Sequence, residues 1–178
     1  MKIVLYAVLL LFLIVFVVIF VGFLLPEKHV TSRKISLHRS PEEVFSLISD
    51  FQSEPSWRRD VQQVIMQPSK TGQVRFIERS KNGSIPMELR LSNPPQRLVI
   101  EIADKSLPFG GLWIFDVAPA SQGCTLQITE RGEVHNPFFR FVSLFILGHR
   151  KTMDAYLQDV ASHFHESSAL ADSAPAEL

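Results

Sequence analysis

Glu78 and Glu130 are the residues of this sequence whose types and positions best suit acid–base chemistry. Side chains alternate between the two faces of a strand, so Glu78 shares the face of Phe76 and Glu130 shares the face of Ile128. If those apolar residues face a core, both carboxyls face it too. A carboxyl in an apolar cavity would have a raised pKa and could act as an acid or base, or bind a ligand hydroxyl.

The alternative places both glutamates at the ends of their strands, paired with Arg79, Arg131 or solvent. We favour this alternative because an unpaired buried charge is costly. The sequence therefore assigns no catalytic residue, and Glu78 and Glu130 stay as the two candidates.

The other residues that could take part in catalysis or bind a metal form no known motif. The sequence has no glycine-rich phosphate loop, nucleophile elbow or His-Glu-x-x-His pattern. His163 and His165 are two positions apart in a predicted helix, where they point in different directions, so we expect no metal site and no cofactor. Cys124 is the only cysteine and cannot form an internal disulfide; we expect a small apolar residue on a strand.

Aromatic and large apolar residues are the better candidates for binding a ligand. Most of them must form the core, because each helix and sheet needs an apolar face. The loop Ser106–Gly111 is unusual for a surface loop because it contains Leu107, Pro108 and Phe109, and it could be a lid over a ligand or a wedge in a bilayer. The predicted ligand-binding residues are Phe45, Trp57, Met87, Leu89, Phe109, Trp113, Phe115, Phe141 and Phe145.

Helices at both ends of a run of strands must position these residues. Ser40 and Glu43 form a capping box for a helix at Pro41–Phe51, and a short helical turn follows before Asp60. A long amphipathic helix is predicted from Phe138 to about His165, with Gly148 marking a kink or a close approach to the sheet. Between them the turn signals, above all the Asn-Gly pair in Lys81–Ser84, separate consecutive strands of an antiparallel meander. The predicted strands are Val30–His38, Val61–Gln67, Val74–Ser80, Ile85–Ser92, Arg97–Ala103, Leu112–Val117 and Cys124–Val134.

The predicted fold class is thus α+β, with a curved antiparallel sheet wrapped around a long C-terminal helix and a space between them for function. The chain has 178 residues and a formal net charge of zero, with 18 Lys and Arg against 18 Asp and Glu. A neutral chain without a basic cluster argues against nucleic acid as a partner.

An apolar run at the N-terminus predicts a membrane anchor. Residues 3–25 contain no charge and would span about 35 Å as a helix, enough to cross about 30 Å of hydrocarbon. The run is longer than that of a signal peptide, and it ends at Pro26 without a small-residue cleavage site. We therefore expect an uncleaved transmembrane anchor at 1–26, one domain at 30–166 and a disordered tail at 167–178.

The membrane side of the domain follows from its positive charges. Lys28, Arg33, Lys34 and Arg39 come after the span and only Lys2 precedes it, which, for the single-pass protein of the cell inner membrane that we expect, places the domain in the cytoplasm. A two-residue tail before a long apolar run is also typical of a signal anchor that exports the domain behind it.

The domain resembles the START-like superfamily, also called SRPBCC or helix-grip, which includes polyketide cyclases and lipid-transfer domains. The resemblance rests on Ser40–Phe45 with Ile48–Asp50, on Pro55–Trp57, on Asn93–Leu98, and on the long last helix; Gly132–Phe141 and Gly148-His149 are similar to an uncharacterised bacterial branch. It implies an internal cavity between sheet and helix that holds a lipid, a polyketide or another hydrophobic molecule. It supplies no common catalytic motif.

Three functions fit these expectations. The first is a membrane-anchored module that binds or transfers a hydrophobic ligand such as a lipid, a quinone or a polyketide-like molecule. The second is a cyclase or dehydratase that uses Glu78 or Glu130 for proton transfer. The third is a protein-interaction domain without a ligand, which a filled interior would favour.

Overall fold

The computed structural model describes residues 2–68, 72–148 and 150–177; Met1, residues 69–71, His149 and Leu178 lie outside these ranges. The helices are α1 (Lys2–Leu24), α2 (Pro41–Ser49), α3 (Glu54–Trp57), α4 (Pro137–Val142) and α5 (Lys151–His163), with a 3₁₀ turn at Phe51–Ser53 and a π turn at Ser143–Leu147. The strands are β1 (Lys28–Leu37), β2 (Val61–Gln67), β3 (Arg75–Ser80), β4 (Gly83–Asn93), β5 (Arg97–Ile102), β6 (Phe109–Ala120), β7 (Gly123–Val134) and β8 (Ala171–Asp172).

One antiparallel sheet contains all eight of these strands, in the order β2-β3-β4-β5-β6-β7-β1-β8. Strands β2 to β7 follow one another as a meander, and β1 closes the far side by pairing with β7 from Lys28↔Glu133 to Leu37↔Cys124. This arrangement confirms the predicted α+β fold with a curved sheet around a C-terminal helix.

Local sequence signals account for the main turns. The side chain of Ser40 accepts a hydrogen bond from the backbone N–H of Glu43, whose carboxylate accepts one from the N–H of Ser40, so the predicted capping box is present. The Asn82-Gly83 pair joins β3 to β4 as predicted. Strand β6 is longer than predicted, because the residues Phe109 to Gly111 pair with β7 instead of forming a loop.

The core lies between the concave face of the sheet and α5. Met153, Tyr156, Leu157, Val160 and Ala161 form the buried stripe of α5. They pack against strand residues and against α2, which contributes Val44, Phe45 and Ile48. Burying this many apolar side chains, at about 1.5–3 kcal/mol each, is the main source of the domain's stability.

The prediction of one continuous helix from Phe138 to His165 is wrong. The helix begins at Pro137, turns into a π turn and ends at Gly148, where φ is +71° and a right-handed helix cannot continue. A Cβ at Gly148 would meet open space, so the glycine marks a break in the helix and not a close approach to the sheet. Of the two helices on either side of Gly148, α5 is therefore the one that covers the sheet, together with α2.

The tail at residues 167–177 contains one short strand. Ala171–Asp172 pair with Lys34 and Arg33 of β1, and the Asp172 carboxylate accepts a hydrogen bond of 2.7 Å from Arg33. This short strand covers two residues of the free edge of β1, which would otherwise expose unpaired backbone groups.

Helix α1 has 23 residues, and among the described parts of the chain it is the one helix long and apolar enough to cross a membrane. Its exposed apolar side chains fit a lipid environment, and a signal sequence has the same character. Leu25, Pro26 and Glu27 join it to β1. The C-terminal end of α1 packs against α4.

Candidate functional site

A cavity of about 430 Å³ lies between α5 and the strands β3 to β7. This volume is in the usual range of small-molecule sites. A depression of larger volume, about 620 Å³, lies beside α2 and is lined by Glu42, Glu43 and Asp50, but it is a surface feature more open to solvent than the cavity. The walls of the 430 Å³ cavity are formed by Arg58, Asp60, Glu78, Ser80, Lys81, Asn82, Ile85, Met87, Ile100, Ile102, Phe109, Gly111, Trp113, Glu130, Thr152 and Tyr156.

The strand registers place this cavity at one end of the sheet. Phe109 pairs with Val134, Leu112 with Glu101 and Met87 with Ile102, so the start of β6, the end of β5 and the start of β4 lie side by side. The same end contains Lys28, where β1 begins shortly after α1, because Lys28 pairs with Glu133. The cavity therefore lies at the end of the domain where the apolar N-terminal helix enters.

The apolar wall of the cavity is built mainly from strands. Met87, Ile100, Phe109 and Trp113 supply it, and the Trp113 ring makes an edge contact with the ring of Tyr156, with centroids 5.9 Å apart. Tyr156 comes from the first half of α5 and is 3% exposed. Burial raises the pKa of Tyr156 well above its usual value, so its phenol stays neutral at physiological pH.

The polar wall is organised around Arg58. Its guanidinium donates two hydrogen bonds to Glu78, of 2.8 and 3.1 Å, and two to Asp60, of 3.0 and 3.3 Å. It also donates one of 3.2 Å to Glu54, one helical turn earlier in α3, and its Cζ lies 5.0 Å from the centre of the Tyr156 ring. Such fixed, charge-assisted geometry holds Glu78 in one orientation facing the cavity.

Three carboxyls share this single guanidinium, and they cannot all be ionised at equal cost. Glu54 is the deepest, with 2% of its surface exposed. Burial raises the pKa of Glu54 to about 8, because the loss of hydration outweighs the attraction of Arg58 and the nearby Glu78 adds repulsion. Burial alone would lower the pKa of Arg58, but the carboxylates of Glu78 and Glu54 raise it, so Arg58 stays charged.

Glu130 lies on the opposite wall, beside the start of β1. Its carboxylate is 3.5 Å from Nε2 of His29. A Cβ at Gly132 would collide with the His29 ring, so the glycine allows the histidine to lie against β7. Two carboxylates, Glu78 and Glu130, thus face the cavity from different walls.

The predicted site residues fall into three groups. Met87, Phe109 and Trp113 line the cavity together with Glu78 and Glu130. Phe45, Trp57 and Phe115 lie in the buried core instead, and Leu89 lines a separate depression beside Phe51. Phe141 and Phe145 lie before the helix break at Gly148, on a segment that does not cover the sheet.

Sequence reasoning placed Glu78 and Glu130 at strand ends with Arg79, Arg131 or solvent as partners, and the structure differs. Glu78 pairs with Arg58, and Glu130 lies beside His29. Glu54, Arg58, Asp60 and Tyr156 were missed as site residues. The i, i+4 spacing of Glu54 and Arg58 was the available signal, but this stretch was interpreted only as the end of α2 followed by a short helical turn before Asp60.

Comparisons with known proteins agree with the fold. The family described as polyketide cyclase / dehydrase and lipid transport matches residues 28–165. Norcoclaurine synthase from Thalictrum flavum superposes with a TM-score of 0.61 at 10% identity, covering 79% of this chain and 88% of that one. A START superfamily protein from Mycobacterium smegmatis gives 0.54 at 18% identity, covering 76% and 99%.

The di-domain ARO/CYC StfQ from the steffimycin biosynthetic pathway gives a TM-score of 0.58 at 12% identity, covering 76% of this chain and 50% of that one. A comparison with curated protein sequences finds no significant match. At these identities the structural likenesses establish the fold. The family match spans most of the chain, and with it this protein belongs to the polyketide cyclase / dehydrase and lipid transport family, within the START-like superfamily.

Proposed function

We propose that this protein is a membrane-anchored module that binds or transfers a hydrophobic ligand in the cavity between the sheet and α5. The observation that carries the proposal is the position of the cavity at the end of the sheet where α1 enters. Only Leu25, Pro26 and Glu27 separate α1 from β1, so the cavity end lies close to the headgroups of any bilayer that α1 spans. A lipid, a quinone or a polyketide-like molecule could enter from that bilayer without crossing water.

The polar wall narrows the ligand class. Asp60 and Glu78 accept hydrogen bonds from Arg58, and together with Glu130 they give the cavity wall three carboxylates against two cations, Arg58 and Lys81. An anionic headgroup would meet excess negative charge there, whereas a hydroxyl or amine could donate to Asp60 or Glu78. The favoured ligand is an apolar molecule with a donor group at one end.

Native mass spectrometry of the full-length protein, extracted gently from its own membrane, tests the proposal. We expect a hydrophobic molecule bound at one copy per chain, released by organic solvent. Ile102→Trp should fill the cavity and abolish retention, whereas Leu91→Trp, at an exposed position of β4, should leave it unchanged. Empty protein that stays empty against a panel of lipids and quinones would exclude a binding module.

The anchor and its orientation are tested separately. We propose that α1 spans the cell inner membrane and that the domain faces the cytoplasm, because positive charges come after the span. Resistance of the full-length chain to carbonate extraction supports the span. A C-terminal fluorescent-protein fusion should fluoresce, whereas an alkaline phosphatase fusion should be inactive; the reverse pattern would place the domain on the exported side.

A cyclase or dehydratase activity is the second candidate, and the buried carboxyl of Glu54 favours it. A carboxyl with a pKa of about 8 holds its proton at neutral pH and can donate it, while Glu78 beside it faces the cavity. Incubation of polyketide-type substrates with wild type and with Glu78→Gln would detect loss of water by mass. Equal conversion by both would remove Glu78 from the reaction.

The third function, a protein-interaction domain without a ligand, requires a filled interior. A partly open cavity of about 430 Å³ between the sheet and α5 counts against this function.

A further inference from the structure

The segment Pro137–Leu147, made of α4 and the π turn, exposes apolar side chains that a surface helix would normally bury. Phe138 is 48% exposed, Phe139 42%, Leu144 44% and Phe145 60%. Phe141 and Phe145 also stack on each other, with ring centroids 4.8 Å apart. We call Pro137–Leu147 the apolar segment.

The charged side chain of the apolar segment points the other way. Arg140 is 13% exposed at its side chain and donates to the carbonyl oxygens of Val134 and His135, at 2.7 and 3.0 Å. It also pairs with the Glu27 carboxylate at 3.1 Å. The charge therefore faces the domain and the phenylalanines face outward, the reverse of a helix that packs on a soluble core.

The apolar segment is fixed to the end of α1. Gly22 is the one buried residue of α1 and lies against the backbone of Pro137, where a Cβ would collide with the carbonyl group. Glu27 strengthens this junction, because its carboxylate contacts both Arg140 and, at 3.0 Å, the ring of His135. The hydrogen bond from His135 lowers the pKa of Glu27, which keeps the carboxylate charged.

We propose that the bilayer spanned by α1 covers the outward face of the apolar segment, which lies in the membrane interface as a second contact. This inference rests on the proposed anchoring by α1. The exposed face continues the lipid-facing surface of α1, since the two helices pack together, and bulky aromatic residues prefer the interface. A contiguous exposed patch of several phenylalanines is typical of a surface that contacts a membrane or a partner.

The consequence for the cavity is geometric. The apolar segment is followed, after Gly148, by α5, and the first turn of α5 contains Thr152 of the cavity wall. The apolar segment is preceded by β7, which contains Glu130 of the cavity wall. Two contacts, α1 and the apolar segment, fix the orientation of this end of the domain against the membrane. One flexible tether could not do so.

Fluorescence quenching of the full-length chain in nanodiscs tests the inference. Single cysteines at Phe145, at Val15 in the middle of α1 and at exposed Gln158 of α5 are labelled with an environment-sensitive dye, in a Cys124→Ala background. The nanodiscs contain phosphatidylcholine without a spin label, with a spin label near the headgroup, or with a spin label near the end of the acyl chain. An interfacial segment lies about 5–10 Å deep, so we expect the headgroup label to quench position 145 strongly, the chain-end label to quench position 15, and neither label to quench position 158.

The outcomes separate the two proposals. Quenching at 15 but not at 145 would overturn the apolar segment as a membrane contact while leaving the anchor intact. Absence of quenching at both positions would overturn the anchor and this inference together. Energy transfer between labels at 145 that depends on the number of chains per nanodisc, without lipid quenching, would show that a second copy covers this face and would also overturn the inference.

Discussion

Replacing Glu54 by glutamine should make the domain more stable at high pH, and the effect follows from the burial of this carboxyl. The folded-state pKa of about 8 is above the ordinary value of 4.5, so the folded protein holds the proton more tightly than the unfolded chain. Stability from this group is complete below pH 4.5 and is lost as the pH rises through 8.

The size of the effect follows from the two pKa values. One pKa unit corresponds to about 1.4 kcal/mol, so raising the pH from about 5.5 to about 8 should cost about 3 kcal/mol of unfolding free energy through Glu54. Glutamine carries no charge at either pH and can still accept from Arg58. The stability of Glu54→Gln relative to wild type should therefore rise by about 3 kcal/mol over this pH range.

Urea unfolding of the full-length protein in detergent micelles measures this difference. The fluorescence of Trp57 and Trp113 reports on the domain alone, because both tryptophans lie in it and contact Tyr156. Glu42→Gln, at an exposed glutamate of α2, is the matched control and should show no such pH dependence. A relative stability of Glu54→Gln that is the same at both ends of the pH range would refute the buried, protonated state of Glu54.

Three further changes test other parts of the structure. Trp113→Ala should weaken retention of the co-purified ligand at least several-fold in a folded protein, as measured by native mass spectrometry; unchanged retention would remove Trp113 from the binding wall. Gly22→Leu should separate α1 from α4 and speed tryptic cleavage after Arg140 several-fold, whereas Phe23→Leu, at an exposed position, should not; equal rates would contradict the packing at Gly22. Burial raises the pKa of Cys124 to about 11, so a maleimide at about pH 8 should label this thiol only after urea unfolding. Rapid labelling of the native protein would show instead that the thiol is accessible.

Sequence signals predicted the elements that depend on neighbouring residues. The capping box of Ser40 and Glu43 and the Asn82-Gly83 turn are local, and both are present in the structure. The strand alternation that places Glu78 on the face of Phe76 also agrees with the structure, since Phe76 is buried and Glu78 faces the cavity. These features need no knowledge of distant contacts.

The last helix shows where the periodicity argument failed. Residues from Phe138 to Phe145 repeat at the spacing of an apolar helix face, and the same pattern fits a face against a core or a face against lipid. The break at Gly148 separates two helices with different surroundings, so Phe141 and Phe145 lie outside the cavity that the pattern assigned them to. Only the packing of α1 against α4 reveals the difference.

The polar wall was missed because its key contact joins distant segments. Glu78 was predicted to avoid burial for want of a partner, yet Arg58, 20 residues earlier, supplies the charge. Arg58 lies at the end of a four-residue helix, too short for a helical pattern to stand out. Burying Glu78 alone would indeed be costly, but the compensating ion pair with Arg58 forms only when the chain folds and is not evident from the sequence.

The pairing of the first strand with the last one of the meander has a consequence for biosynthesis. Strand β1 leaves the ribosome shortly after α1, but its partner β7 lies roughly 90–105 residues further along the chain. At about 5–20 residues per second, β1 must wait several seconds before β7 is synthesised. Under the proposed anchoring by α1, insertion into the membrane should therefore precede folding of the domain.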